Sequence, residues 1–174
     1  PKEGGPEKAV AWMDEDSVTL GVAAAQNCLQ GFDRSRVDAV LFATTTYAFA
    51  EKQAAAIIAK ALNLKGDVRT ADIAHSTRAG TIALQSAIDA VKAGSATRVL
   101  VIAADCRMGA PGSGFEANTG DAAAAFLVGA EGAIASLECA CSHTTGILDI
   151  WRKQGDRFVH SWEDRFVNVH GYIE

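Results

Sequence analysis

The sequence predicts a layered α/β protein, with a largely parallel sheet held between helices on both faces. Three observations predict it. Buried-type apolar runs at 37–45, 69–74 and 98–105 alternate with helical stretches, the pattern of strands joined by crossover helices. Apolar residues make up 49% of the 174 but aromatics only 7%, so the core is built from Ala, Val, Ile and Leu. Glycines (Gly31, Gly66, Gly94) close each helical stretch, where a left-handed residue stops a helix.

Each element has its own signal. Asp14-Glu15-Asp16-Ser17 is an acidic helix start, and Val18, Leu20, Val22, Ala25 and Leu29 follow at helical spacing. Val37 to Thr45 is a buried strand. Glu51 to Leu64 reads as a helix with Ala55, Ile58, Ala59 and Leu62 on one side. Arg69 to Ala74 is a strand, and Thr77 to Ala93 a helix apolar nearly all round, hence expected to be buried on most sides. Arg98 to Asp105 is a second buried strand. A Gly/Pro/Ser loop, Arg107 to Thr119, precedes an apolar run that opens at Gly120-Asp121 and ends at Gly129. Ala133 to Ser142 alternates like a half-exposed strand. From Thr144 the chain changes character and carries Trp151, Phe158, His160, Trp162, Phe166, His170 and Tyr172. Two segments follow: residues 1–143 as the α/β domain, and 144–174 as an aromatic-rich tail whose Trp151, Phe158, Trp162 and Phe166 form a satellite cluster.

Bulk properties narrow the function. A net charge of −5 argues against a nucleic-acid surface or an anionic membrane patch. The start, Pro1-Lys2-Glu3-Gly4-Gly5, is polar, and no apolar run reaches the length that spans a bilayer. A cytoplasmic protein is the expectation. Cys28, Cys106, Cys139 and Cys141 lie in apolar or strand-like segments, which predicts buried free thiols in a reducing compartment. Cys139, Cys141 and His143 alternate and would share one face of a strand. Ligands so close on one strand make a poor metal site, so half-buried packing is expected and no metal.

The chemistry concentrates at Asp72-Ile73-Ala74-His75-Ser76-Thr77-Arg78-Ala79-Gly80-Thr81, a strand turning sharply into a helix. The free N–H groups and positive dipole end of that helix suit a developing negative charge. Enzymes place nucleophiles at such turns, and here the position holds Thr77. Arg78, set against the dipole, calls for an acidic partner or a bound anion. His75 reads as a packed or interface histidine.

The ordered series DEDSVT, VDAVLFATTT, ADIAHSTRAGTIAL, RVLVIAADCR, GDAAAAFLVG and DIWRKQGDRFVHSW resembles the N-terminal half of the thiolase superfamily. Within it the chain is similar to 3-hydroxy-3-methylglutaryl-CoA synthases of the archaeal and bacterial type, over about residues 7 to 170. The resemblance implies a fragment of a protein built from two halves about a pseudo-dyad. It implies a five-strand half-domain sheet in the order 3-2-4-5-1, with strand 5 antiparallel and the first strand missing. It also implies a homodimer paired through the edge strand at 69–74.

The family's nucleophilic Cys falls on Thr77, and the Glu general base of the synthases on Thr45, so both signature side chains are hydroxyls here. A neutral hydroxyl is a far weaker nucleophile than a thiolate and needs a neighbouring base. By resemblance the loop with Gly112, Ser113 and Glu116 covers the acyl pocket, and Arg78 is placed to meet a CoA phosphate. As a plain sequence, that loop is a connection rich in turn formers. The expected role is therefore acyl-CoA handling with acyl transfer and carbon–carbon bond formation, acyl-CoA being substrate and no cofactor being needed. The alternative is a noncatalytic subunit that partners an active paralogue or a small OB-fold/zinc-ribbon protein.

Overall fold

The computed structural model describes residues 7–173; the polar start at Pro1–Gly5 lies outside them. The chain forms two compact units. One comprises Ala9–Cys106 and Gly120–Ile134, the other Arg107–Thr119 and Ala135–Glu174 with the described part of Pro1–Lys8.

The first unit holds a four-stranded mixed sheet made of β1 (Ala39–Thr44), β2 (Arg69–Ala74), β3 (Arg98–Asp105) and β4 (Ala122–Gly129). The order is β2-β1-β3-β4; β1 runs parallel to both neighbours and β4 antiparallel to β3. The expected order carries a fifth strand, which is not found among the described residues. In register, Thr44 pairs with Ala74 and Asp105 with Ala122, so the C-terminal ends of β1, β2 and β3 meet where β4 begins.

Three helices cover the sheet: α1 (Ser17–Cys28) and α2 (Ala54–Ala61) pack on one face and α3 (Ala79–Lys92) on the other. Period-two alternation divides each buried strand between the faces. Val40, Phe42, Leu100 and Ile102 point toward α1 and α2, where they meet Val18, Leu29, Ile58 and Leu62. Ala39, Ala43, Val99 and Val101 point toward α3, where Ala79, Ala83 and Ala87 meet them. Gly21 lets α1 sit close, since a Cβ there would lie 3.2 Å from both Ile102 and Phe42.

Tertiary contacts trim the helices. Asp16 caps α1 by accepting from the N–H groups of Val18 and Thr19, as its acidic start predicts. The α2 helix begins at Ala54, not Glu51, because its cap comes from another element. Asp72 of β2 accepts from the N–H groups of Ala54 and Ala55, both at 2.8 Å, and from the Tyr47 hydroxyl. Burial first, and then that bond to Asp72, push the Tyr47 phenol above its usual range. The α3 helix begins at Ala79, leaving Thr77 in the preceding turn. It buries a single alanine stripe with Ile82 exposed, so apolar composition on all sides did not mean burial on all sides.

Two expectations fail downstream. Ala133 to Ser142 forms no strand, because no neighbouring strand receives its N–H and C=O groups, and the segment is exposed. The cysteines are not buried: Cys139 and Cys141 lie exposed on that segment, and Cys28 and Cys106 are half-buried.

In the second unit, α4 (Gly114–Asn118) interrupts the expected loop. A hairpin of β5 (Ile150–Trp151) and β6 (His160–Ser161) leads to α5 (Asp164–Val167) and a π-helical turn at Asn168–Tyr172. Trp151 stacks on His160 at 5.8 Å and lies 6.0 Å from Trp162, while Phe166 meets His170 at 4.7 Å. Phe158 carries the Arg157 guanidinium over its ring.

Two substitutions test this account. Asp72→Ala removes the carboxylate that accepts from the Ala54 and Ala55 N–H groups, leaving only the Tyr47 hydroxyl on Ala54, and is expected to cost about 1–2 kcal/mol, which thermal unfolding reads as a lower Tm. Asp38 accepts from the N–H groups of Arg98 (2.9 Å) and Thr97 (2.7 Å). Those bonds, the Arg98 one foremost, hold its carboxyl below the usual range. The stabilisation is present above the unfolded-state value of about 3.9 and fades as pH falls through the lower folded value. Asp38→Asn should therefore narrow its stability deficit in denaturant titrations as pH drops below about 4.

Candidate functional site

The C-terminal ends of parallel strands are where open α/β sheets hold ligands. Here that rim is organised by Asp105, the last residue of β3. Its Oδ1 accepts from the Thr44 hydroxyl (3.0 Å), the Thr45 N–H (2.6 Å) and hydroxyl (3.0 Å), and the Thr46 N–H (3.2 Å) and hydroxyl (3.3 Å). All five fall on Oδ1; Oδ2 carries no hydrogen bond among the described residues. The Thr46 hydroxyl also accepts from the Cys106 N–H, and its carbonyl from the Ser17 hydroxyl at the start of α1. The turn after β1 is thereby tied to the ends of β3 and α1. Thr44 is only 2% exposed, so its hydroxyl has to be paired inside the protein.

On the other side of the rim β2 turns into α3. His75 adopts φ +65°, the left-handed conformation that side chains other than Gly rarely take, and its N–H donates to the Thr44 carbonyl. This residue makes the sharp corner. The Ser76 hydroxyl accepts from the Arg78 N–H, and Arg78 occupies the N-cap of α3 with no side-chain cap bond. No acidic side chain pairs with the exposed Arg78 guanidinium among the described residues, so the structural partner expected from the dipole argument is absent. His75 is exposed, with an edge-on contact to the Tyr47 ring at 6.1 Å.

Between the two sides lies a cavity of about 310 Å³. Thr77, Ser76, Thr44 and Asp105 supply its polar groups, and its walls are alanine and glycine from β1, β3, β4 and α3. The Thr77 hydroxyl makes no hydrogen bond among the described residues. Thr45 does not line the cavity; its hydroxyl donates to Asp105. Beside this rim Cys106 is no thiolate: burial, then the carboxylates of Asp121, Asp16, Asp105 and Glu15, push its thiol up to about 11.

Gly112, Ser113 and Glu116 belong to the other unit and bond mainly to one another. The Ser113 hydroxyl caps α4 through the Glu116 N–H, and the Glu116 carboxylate accepts from the Gly112 N–H. The Glu116 carbonyl accepts from Lys8. Among the described residues no three His, Cys, Asp or Glu side chains come together to hold a metal, and no helix is long and apolar enough to cross a membrane.

Sequence reasoning passed over Thr44 and Asp105. The signal was there: a carboxylate ending a strand as apolar as RVLVIAAD needs donors, and the hydroxyl run Thr44-Thr45-Thr46 supplies them.

With this geometry in view, the comparisons with known proteins are specific. No protein-family model matches the chain. A hydroxymethylglutaryl-CoA synthase of Pyrococcus furiosus is 38% identical over 156 residues, covering 87% of this chain and 45% of the relative. A structure of MvaS in complex with 3-hydroxy-3-methylglutaryl coenzyme A superposes with a TM-score of 0.83 at 25% identity, covering 95% of this chain and 41% of the other. A 3-oxoacyl-(acyl-carrier-protein) synthase III gives a TM-score of 0.68 at 25% identity, over 78% of this chain and 41% of that one. The fold is that of the thiolase superfamily. Within it the chain is similar to hydroxymethylglutaryl-CoA synthases, and it spans about half the length of the relatives it matches.

The thiol environments predict a labelling order. With iodoacetamide near pH 8, Cys139 and Cys141 should react well ahead of Cys106, which burial and four carboxylates keep protonated. Peptide mass spectrometry of a time course reads the order directly, and equal rates would remove the environment assigned to Cys106.

Proposed function

We propose that the chain is one half of an acyl-CoA-binding protein of the hydroxymethylglutaryl-CoA synthase type, handling thioesters without a covalent acyl-enzyme. The cavity between the turn of Thr77 and the Thr44–Asp105 rim is the observation that carries this reading. Thr77 stands where the resemblance puts the nucleophile. Its hydroxyl makes no hydrogen bond to Asp105 or to any other group among the described residues, so nothing draws off its proton. A thioester carbonyl set at the start of α3 would still meet the helix dipole, which stabilises an oxyanion whether or not a covalent bond forms. Thr45, at the Glu position, acts by holding Asp105 and is no base itself. Arg78, exposed at the α3 N-cap with no acidic partner among the described residues, is placed to meet a CoA phosphate. In the same proposal Gly112, Ser113 and Glu116 contribute to substrate binding, and acyl-CoA is substrate with no further cofactor.

The wider assembly is part of the proposal. The unpaired outer edge of β2 supports a homodimer through residues 69–74, and the outer edge of β4 suits the fifth strand of the order 3-2-4-5-1. A second reading, a noncatalytic cytoplasmic subunit that partners an active paralogue or an OB-fold/zinc-ribbon protein, draws on the idle Thr77 hydroxyl and on exposed Val10, Trp12 and Met13.

Intact-mass measurement of the full-length protein after acetyl-CoA and acetoacetyl-CoA, with released CoA quantified, tests the reading. The wild type is expected to carry no adduct, and Thr77→Cys to gain one of acetyl mass. An acyl ester mapped to Thr77 would overturn the noncovalent mechanism. Failure of any acyl-CoA to bind would move the protein to the subunit reading.

A further inference from the structure

We propose that Asp105 is the proton acceptor of this cavity, a carboxylate delivered from β3 where Thr45 leaves none on the turn after β1, and that it removes a proton from the α-carbon of a bound acyl thioester. The inference rests on the acyl-CoA reading of the site.

Three observations support it. Asp105 is the only ionisable side chain that lines the cavity. Its five hydrogen bonds all fall on Oδ1, which fixes the carboxylate plane while Oδ2 keeps its lone pairs. A base locked through one oxygen and open through the other is set up for proton transfer without reorganisation. Apart from Thr44, Ser76 and Thr77 the wall is alanine and glycine, whose small side chains leave room for an acyl group beside Asp105. The other titratable groups nearby do not compete. His75 is exposed, turned to the Tyr47 ring, and does not line the cavity; Cys106 is a protonated thiol beside the rim.

The step balances within the site. The α C–H bond breaks and its proton passes to Asp105 Oδ2. The bonding pair forms the C=C bond of an enolate, and the thioester oxygen takes the negative charge. At the start of α3 that oxygen meets the positive end of the helix dipole. In deuterated water the carboxyl exchanges its proton and returns deuterium to carbon. No bond to Thr77 is needed, and no oxidant or second substrate.

The test is NMR of the full-length protein with acetyl-CoA in deuterated water. Saturation transfer to the CoA protons reports binding, and decay of the acetyl methyl signal reports enolisation. The wild type is expected to show both. Asp105→Asn should keep saturation transfer and slow methyl exchange by about a hundredfold or more, the usual contribution of a general base. If that variant does not fold, Ala124→Leu serves instead. It changes an exposed β4 residue that lines the cavity and pairs with Ala103, and it should suppress exchange by filling the space beside Asp105. Binding without exchange in the wild type, or wild-type exchange in Asp105→Asn, overturns the assignment and leaves the thioester reading standing. No saturation transfer from any acyl-CoA overturns the thioester reading, and this inference with it.

Discussion

The seating of α3 on the sheet by alanine against alanine is the constraint on which the site depends. Ala39 and Ala43 of β1 face Ala79, Ala83 and Ala87 of α3, while the opposite face of the same strands carries Val40, Phe42, Leu100 and Ile102. Small residues let the helix axis approach the sheet, and they leave room at the end of the strands where no large side chain reaches in. The cavity opens there because its walls stop at Cβ. One face of the sheet buries Phe42, Leu100 and Ile102; the other buries Val99 and Val101 and turns to alanine beside Thr77, where the space opens.

The second constraint is the pairing of Asp105 with the three threonines. A carboxylate and three hydroxyls at the end of a buried strand would each carry a desolvation penalty alone. Together they satisfy one another, and they pin the turn after β1 to β3 and, through Ser17, to α1. A comparable device works at the opposite corner, where Asp72 secures the start of α2 and the Tyr47 hydroxyl. Two aspartates, on the two parallel strands that flank β1, thus hold the loops that frame the site.

The relationship to hydroxymethylglutaryl-CoA synthases sharpens what is unusual here. The chain keeps the superfamily's strand-to-helix turn and the mixed sheet behind it, yet hydroxyls stand where the resemblance puts the thiol and the glutamate. In the proposed reading, oxyanion stabilisation by a helix start depends on backbone and would survive such replacements, whereas thiolate chemistry depends on one sulfur atom and would not.

The sequence by itself determined the strands, since Arg69–Ala74 and Arg98–Asp105 are legible from apolar runs bounded by turn formers, and it located the turn of Thr77. It determined the α1 cap as well, because Asp16 and the N–H groups that donate to it lie within three residues of one another. What depended on distant partners was decided only by the tertiary structure. The start of α2 is set by Asp72 from another strand, the exposure of α3 by a stripe of three alanines, and the loss of the strand at 133–142 by the lack of a neighbour. The site divides the same way. Thr77 is readable from motif spacing, but the approach of Asp105 to Thr44, Thr45 and Thr46 joins residues about sixty apart in the chain. A local pattern records what a residue's neighbours in sequence demand; only the folded sheet brings a carboxylate and three hydroxyls to the same rim.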